Sequence, residues 1–211
     1  MPPRRPPSTA AELIPERPTL PRLREAARTC TACDLYKRGT QTVFGEGKKG
    51  ARLMFVGEQP GNDEDLAGRP FVGPAGQVFD TALERAGIDR DRVYITNVVK
   101  HFKWRPRGKR RIHQNPNIEE VRACRPWLDG ELAAVQPRVL VCLGATAAQA
   151  LLGRDFRVSR QRGQFVDSPL AERVTATVHP SSILRGDPED REAAMDALVR
   201  DLAAVARELS G

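Results

Sequence analysis

The sequence predicts an α/β fold of three layers, in which helices cover both faces of a central, mostly parallel, four-stranded sheet. Two observations support this prediction. From residue 52 onward, short apolar and β-branched runs alternate with amphipathic segments, as they do when each strand of a parallel sheet is followed by a helix. The strand segments are also nearly continuous apolar runs, which is typical of strands that are buried on both faces.

The predicted elements follow one another in a regular order. The strands are RLMFVG, RVYITNVV, RVLVCLG and RVTATVHP, and the helices are GQVFDTALERAGI, NIEEVRACRPWLDGELAAV, ATAAQALLG and a last one within residues 187 to 209. The first helix has apolar residues at helical spacing and can end at Gly87. Asn117, with Glu120 three residues later, has the pattern of a capping box. The segment GQFVD, residues 163 to 167, can add an edge strand.

The composition predicts one domain preceded by a tail. A chain of 211 residues fits a single domain of ordinary size, and seven of its 17 prolines fall within residues 1 to 21. Because proline resists both helix and strand, we expect residues 1–18 to be a disordered Pro/Arg-rich tail and residues 19–211 to form the domain. No run of about 18 uncharged apolar residues occurs, and no signal-peptide core precedes the domain, so we expect a cytoplasmic protein.

Polar side chains follow the predicted strands at the point where each strand ends. The first strand leads into GEQPG, which contains Glu58, the second ends at Asn97, the third leads into LGAT, and the fourth leads into HPSS, which begins with His179. Each side chain alone has an ordinary explanation, such as a solvated carboxylate or an amide that caps a turn. Because the carboxyl ends of parallel strands meet at one edge of the sheet, together they favour a binding site there.

The segment after the first strand has the composition of a fixed loop. Five glycines and three prolines lie within residues 57 to 76, and such residues allow close approach of the backbone to a ligand. Phe71 stands in this loop between Pro70 and Val72. It is either a core residue or an aromatic face that stacks on a planar ligand, whose edge the amide of Asn97 would then read.

The four cysteines have the spacing of a metal or cluster site. Cys30 and Cys33 form a C-x2-C motif, and Cys124 and Cys142 follow much later in the chain. Four thiolates suit either tetrahedral zinc or an iron-sulfur cluster, and the spacing alone does not separate the two. The alternative is that Cys142, within VLVCLG, is an ordinary buried strand residue. A site on these cysteines would attach residues 24 to 45 to the domain.

A strongly basic segment follows the second strand. The chain carries a net charge of +7, and residues 100 to 113 contain seven Lys and Arg, no acid, and the aromatic residues Phe102 and Trp104. Cations with interleaved aromatics are typical of proteins that bind single strands or flipped bases, whereas a merely solvated basic run is the alternative. His113 ends this segment, and it either contacts phosphate or acts as a nucleophile or base.

Together, these segments resemble the uracil-DNA glycosylase superfamily. The resemblance rests on GEQPG, DLAGRPFVGPAG, TNVVKHF, KRRIH, LGATAAQALLG and HPSSILR with the four cysteines, and it covers residues 24 to about 205. More narrowly, the chain resembles the X-type branch (UdgX), because it has GEQPG where the ordinary iron-sulfur uracil-DNA glycosylases usually have GEAPG, and because it carries the inserted KRRIH loop.

The resemblance implies a cofactor, a partner and a set of site residues. It implies a 4Fe-4S cluster on Cys30, Cys33, Cys124 and Cys142 and action on uracil-containing DNA. We also expect a monomer that prefers single-stranded DNA. Phe71 would stack on the extruded uracil, Asn97 would read its pairing edge, and His179 would contact the base and stabilise its negative charge as it leaves. The other implied substrate and DNA contacts are Gly57, Gln59, Lys109, Arg110, Ser181, Ser182 and Arg185.

The resemblance also implies an unusual reaction. In the X-type branch the histidine of KRRIH attacks the sugar and stays covalently joined to the DNA, which assigns that role to His113. Glu58 and Gln59 would orient His113 or the sugar, with Glu58 able to accept a proton, and Arg111 would fix the loop. Two alternatives remain, namely an ordinary glycosylase that turns over with water as nucleophile and a non-enzymatic single-strand binder with structural zinc.

Overall fold

The structure, a computed structural model, describes residues 9–210 and confirms the three-layer α/β fold. The strands are β1 (Leu53–Gly57), β2 (Val93–Asn97), β3 (Trp104–Arg107), β4 (Arg110–His113), β5 (Val139–Leu143), β6 (Phe165–Val166) and β7 (Arg173–Thr177). The helices are α1 (Leu20–Ala27), α2 (Asn62–Ala67), α3 (Pro74–Arg85), α4 (Ile118–Val135), α5 (Ala145–Leu152), α6 (Val158–Gln161), α7 (Ser181–Arg185) and α8 (Arg191–Ser210).

The central sheet has five strands in the order β2-β1-β5-β7-β6. The four predicted strands, β1, β2, β5 and β7, are all parallel to one another. The fifth, β6, is the two-residue edge strand within GQFVD, and it pairs antiparallel with β7. The predicted sheet of four strands is therefore one short edge strand smaller than the observed one.

The two faces of the sheet bury two separate apolar clusters. Alternate residues of β1 point to opposite faces, so that Leu53 and Phe55 pack with α3 and α8, while Met54 and Val56 pack with α1 and α4. The predicted C-terminal end of α3 and the predicted N-terminal start of α4 are confirmed. Gly87 has a φ of +72° just after α3, and at the start of α4 Asn117 Oδ1 accepts from Glu120 N at 2.9 Å while Glu120 Oε2 accepts from Asn117 N at 2.7 Å.

The described residues include part of the predicted tail. Of the predicted tail, residues 1–8 lie outside the described residues, and Ala10–Leu13 form a 3-10 helix. Ala10 is fully buried in the same apolar cluster as α1 and α4. Among the helices within residues 9–210, none is long and apolar enough to cross a membrane.

The basic segment is a β-hairpin rather than the irregular loop that its composition indicates. Strands β3 and β4 pair antiparallel, with Trp104 opposite His113 and Arg107 opposite Arg110. The two-residue turn between them begins at Gly108, whose φ of +58° suits a tight hairpin turn. The run of cations hides the strand alternation in the sequence, because neither face of this hairpin is continuously apolar.

Candidate functional site

The carboxyl ends of the parallel strands bring Gly57, Asn97 and Phe71 together. Gly57 of β1 is the direct neighbour of Asn97 of β2. A Cβ atom at Gly57 would overlap Asn97 Oδ1 and lie 2.8 Å from Phe71 Cζ, so only glycine fits. Asn97 is 2% exposed, and its Oδ1 has no hydrogen-bond partner among the described residues. Since buried polar atoms are normally paired, this oxygen indicates a ligand that supplies the donor.

Phe71 has a strained backbone. Its φ is +55°, a region that bulky residues rarely adopt and that is concentrated at functional sites. A Cβ atom at Gly76 would collide with the carbonyl of Phe71, so α3 packs directly against this backbone. The ring of Phe71 is packed with its centroid 5.3 Å from that of Phe79 and 5.7 Å from that of His179. The loop therefore presents the ring in one fixed orientation beside His179.

Glu58 connects the sheet edge to the hairpin. Its Oε1 lies 3.3 Å from His113 Nε2, and its Oε2 accepts a hydrogen bond from Thr146 Oγ1. Burial alone would raise the pKa of Glu58, but the hydrogen bonds from His113 and Thr146 outweigh burial, and the pKa is lowered. The carboxylate is therefore ionised at neutral pH and faces an imidazole whose side chain is 47% exposed. Thr146, in the LGAT segment, was not singled out in the sequence.

His179 is held as a neutral imidazole of one tautomer. Burial lowers its pKa to about 4. The backbone N–H of Ser181 donates to His179 Nδ1 at 3.2 Å, which requires a lone pair on Nδ1 and therefore places the proton on Nε2. Ser181 Oγ also lies 2.8 Å from Nδ1. The ring consequently offers one N–H donor to the site.

We expect His179 to titrate with a midpoint of about 4 rather than near the ordinary value for histidine. Burial disfavours the charged imidazolium, and protonation at Nδ1 would break the hydrogen bond from Ser181 N. The measurement is an NMR titration of the histidine ring resonances, with His179→Gln to assign them. A midpoint between about 6 and 7 would show that the ring is not held in the neutral form.

Gln59 joins the two ends of the hairpin. Its Nε2 donates to the carbonyls of Lys103 and Gln114, at 3.2 and 3.1 Å, and its Oε1 accepts from Lys103 N at 3.1 Å. Both amide hydrogens are therefore used by the backbone on either side of β3 and β4. The sequence placed Gln59 among the residues that contact substrate or orient His113, and in this geometry its contacts serve the position of the hairpin.

Arg111 fastens the hairpin to α2. Its Nη1 lies 2.6 Å from Oδ2 of Asp65, whose side chain is fully buried, and its Nε donates to Asn62 Oδ1 at 2.8 Å. Its guanidinium also lies 5.5 Å from the ring centroids of both Phe102 and Trp104. These two aromatics therefore hold Arg111, whereas the sequence interpretation assigned them to stacking on bases. Phe102 is 1% exposed.

We expect Asp65→Asn to loosen the hairpin. The substitution removes the charge that pairs with Arg111, while the amide oxygen still accepts from Thr40 N and the amide NH2 can donate to Thr40 Oγ1. Loss of a buried charge-assisted hydrogen bond of this kind makes local opening roughly tenfold or more easier. Trypsin should then cut faster after Arg107, Lys109, Arg110 and Arg111, as followed by mass spectrometry. Asp129→Asn, at a surface pair on α4, is the control, and equal cleavage rates in the two variants would contradict the expectation.

The outer part of the hairpin presents free cations. Arg105, Arg107, Lys109 and Arg110 are exposed, and within residues 9–210 none of them forms an ion pair.

The loop after β7 presents a second polar surface. There Arg185 Nη1 donates to Ser181 Oγ at 2.9 Å, and Ser182 Oγ donates to the carbonyl of His179 at 2.7 Å. Both surfaces border the edge that carries Glu58 and Asn97.

The cysteines lie on one side of the sheet. Cys30, Cys124 and Cys142 share the apolar cluster that includes α1 and α4, and Cys33 packs against it. Burial raises the pKa of Cys33, and raises those of Cys124 and Cys142 to about 12. N–H groups donate to two of the sulfurs, from Lys100 N to Cys124 Sγ at 3.2 Å and from Trp127 Nε1 to Cys30 Sγ at 3.3 Å.

The chemistry of these cysteines fits a thiolate-bound metal group. Buried thiolates require a cation, and N–H donors to sulfur are typical around iron-sulfur clusters. The side chains are not arranged as a closed site, because among the described residues no group of three or more His, Cys, Asp or Glu has the geometry to hold a metal ion. The donor set therefore fits, and the ligand geometry is not formed.

Comparison with known proteins identifies related sequences. The family model described as "Uracil DNA glycosylase superfamily" matches residues 44–203. The type-4 uracil-DNA glycosylase of Thermotoga maritima is 41% identical over 162 residues, which cover 76% of this chain and 81% of that protein. The type-4 uracil-DNA glycosylase of Pyrobaculum aerophilum is 39% identical over 173 residues, covering 79% and 85%. A type-5 uracil-DNA glycosylase of the same organism is 34% identical over 154 residues, covering 65% and 64%.

Proposed function

Because the chain belongs to the uracil DNA glycosylase superfamily, we propose that it excises uracil from DNA and keeps the resulting abasic sugar as a covalent adduct on His113. The excision is supported by the related type-4 uracil-DNA glycosylases. One observation supports the proposal of the adduct. His113 Nε2 lies 3.3 Å from Glu58 Oε1, at the edge of the sheet that also holds Asn97 and His179.

Base recognition is assigned to Asn97 and Phe71. The unpaired Oδ1 of Asn97 accepts the N3–H of uracil, and its amide hydrogens donate to a neighbouring carbonyl of the base. Phe71 stacks on the face of the extruded base, since its ring is fixed beside His179 at the same edge of the sheet. A site that hydrogen-bonds the pairing edge in this way discriminates strongly against bases with a different edge.

Cleavage of the N-glycosidic bond leaves an electron pair on the base. The C1′–N1 bond breaks, its electron pair remains on uracil N1, and the sugar acquires oxocarbenium character. The neutral His179 donates its Nε2–H to a carbonyl oxygen of the departing uracil, where the negative charge is delocalised. A neutral donor held in place by Ser181 stabilises that charge without reorganisation at the moment of reaction.

The sugar is then captured by His113. One ring nitrogen uses its lone pair to form the bond to C1′, while the proton on the other ring nitrogen is shared with the carboxylate of Glu58. Loss of that proton to Glu58 and solvent leaves a neutral N-alkylated imidazole. Thr146 keeps Glu58 oriented toward His113 through its hydrogen bond to Oε2. The exposed cations Lys109 and Arg110 bind the flanking phosphates.

We further propose that Cys30, Cys33, Cys124 and Cys142 hold a 4Fe-4S cluster. When bound, the cluster supplies a covalent link between the N-terminal segment, α4 and β5, and it takes no part in the excision. We expect the protein as purified under anaerobic conditions to contain iron and acid-labile sulfide in equal amounts. Cys124→Ala should lose both and unfold more easily. Stoichiometric zinc in a colourless protein would contradict the cluster.

One gel tests the proposed function. The protein is incubated with single-stranded DNA containing one uracil, and the products are separated under denaturing conditions, with thymine DNA and duplex uracil DNA as parallel substrates. We expect uracil release together with a heat-stable shifted band, at most one per protein molecule, and more of it with the single strand. Release of many uracils per protein without a shifted band would instead establish an ordinary glycosylase that uses water, and no release from any substrate would reject the proposal.

A further inference from the structure

A fully buried ion pair lies directly behind Asn97. The side chains of Lys100 and Glu131 are 0% exposed, and Lys100 Nζ lies 2.5 Å from Glu131 Oε2. Lys100 Nζ also donates to Thr96 Oγ1 and to the backbone carbonyl of Asn97, both at 2.7 Å. Each of the three ammonium hydrogens therefore has an acceptor, and one acceptor belongs to Asn97 itself.

The carboxylate of Glu131 is also well supplied with hydrogen-bond donors. Its Oε1 accepts from Gly45 N at 2.9 Å, from Tyr94 OH at 3.0 Å and from Thr96 Oγ1 at 2.9 Å. Burial raises the pKa of Tyr94, so its phenol remains a donor. The carboxylate, which α4 carries, therefore gathers groups from β2 and from the segment before β1 around the ammonium group of Lys100.

The backbone of Lys100 extends these connections in both directions. Its N–H donates to Cys124 Sγ at 3.2 Å, and its carbonyl accepts from Val43 N at 2.8 Å. The two residues between Asn97 and Lys100 donate their backbone N–H groups to the carbonyls of Gly57 and Glu58, at 2.9 and 3.0 Å. The turn from Asn97 to Lys100 is thus bonded to the candidate site on one side and to α4 on the other.

Stability alone does not account for a pair of this kind. Taking two charges out of water costs several kcal/mol per ion, and apolar residues of similar volume are often as stable or more stable. What the charged pair adds is a defined position. The three N–H groups of the Lys100 ammonium are directed at separate acceptors, and they thereby fix the carbonyl of Asn97 relative to Glu131 on α4. The side chain of Asn97 must carry its amide to a base with little error, and a misplacement of about 1 Å can cost a hundredfold in rate.

We propose that Lys100 and Glu131 are positioning residues that hold the amide of Asn97 at the base-reading site. This inference rests on the proposed excision of uracil and deepens it. Lys100 acts on the carbonyl of Asn97, and Glu131 acts through Lys100 by providing its counter-charge. Neither side chain reaches the substrate, since both are enclosed by protein.

The test compares neutralisation of the pair Lys100 and Glu131 with neutralisation of a control pair on α4, the helix that carries Glu131. Lys100→Met with Glu131→Gln removes both charges, while the glutamine oxygen continues to accept from Gly45 and Tyr94. The control is Arg125→Met with Asp129→Asn, which neutralises a partly exposed pair on α4. In each protein the NMR resonances of the Asn97 side-chain amide, assigned by their loss in Asn97→Ala, are recorded together with the rate of uracil release.

We expect the Asn97 amide resonances to shift and broaden in the neutral pair and to stay in place in the control. Uracil release should fall about a hundredfold. In an Asn97→Ala background the neutral pair should cause no further loss of rate, whereas a general loss of structure would multiply the two effects.

If the double variant does not fold, Glu131→Gln alone is used and should give a smaller shift of the same resonances. Unchanged Asn97 resonances would overturn the inference. Absence of uracil release by the unaltered protein would instead reject the proposed function, and the resonances would still decide the role of the pair.

Discussion

His113→Ser should abolish the heat-stable adduct with uracil-containing DNA. Serine is too short to reach Glu58 and offers no nucleophilic nitrogen, so no bond to C1′ can form. The groups proposed to recognise and release the base remain in place, because His113 forms no hydrogen bond to Asn97 or His179 among the described residues. We therefore expect uracil to be released still, with the abasic sugar now captured by water. The measurement is the fraction of labelled DNA in the shifted band of a denaturing gel.

The matched control is Lys109→Ser in the same hairpin. Lys109 lies in the turn and is exposed, so the substitution leaves the hairpin and His113 in place and removes only one phosphate contact. The control should still form the adduct, with a weaker dependence on salt concentration. A shifted band of undiminished intensity in His113→Ser would show that another residue attacks the sugar.

Asn97→Ala should reduce uracil release by about 10²- to 10³-fold, because the proposed donor to a carbonyl of the base, on which negative charge develops during cleavage, is removed. The side chain is 2% exposed and has an unpaired oxygen, so in the complex its hydrogen bonds to the base form away from water. The measurement is the single-turnover rate of uracil release. The adduct on His113 should decrease in parallel, since capture follows cleavage.

Asn117→Ala separates this effect from a loss of stability. Asn117 caps α4 through its bond from Glu120 N, and its removal should cost about 1 kcal/mol of unfolding free energy. Its rate of uracil release per folded molecule should stay that of the unaltered protein. If Asn97→Ala and Asn117→Ala reduced uracil release equally, Asn97 would have no specific role in reading the base.

Local patterns of the sequence predicted the parallel sheet and its edge. Apolar runs identified β1, β2, β5 and β7, and the spacing of Asn117 and Glu120 identified the start of α4. The rule that parallel strands end at one edge then brought Glu58, Asn97 and His179 together before their contacts were known. These predictions succeeded because strand periodicity, helix caps and strand direction are properties of short segments.

The contacts that place the hairpin were not predictable in this way. Arg111 pairs with Asp65, 46 residues earlier in the chain, and Gln59 spans from β1 to both ends of the hairpin. The cations of KHFKWRPRGKRRIH looked equivalent in the sequence, but Lys100 is fully buried and Arg111 is partly buried, while Lys109 and Arg110 are exposed. No local pattern distinguishes a paired cation from a free one.

By itself, the sequence determined the class of fold, the edge of the sheet that carries the candidate site, and the residue types available for the proposed base recognition and nucleophilic attack. Only the tertiary structure decided which of these groups face one another. It set His113 against Glu58, committed the amide of Gln59 to the hairpin, and placed Lys100 and Glu131 behind Asn97. The physical reason is that hydrogen bonds and ion pairs act over a few ångströms between residues far apart in the chain, so that folding alone selects the partners.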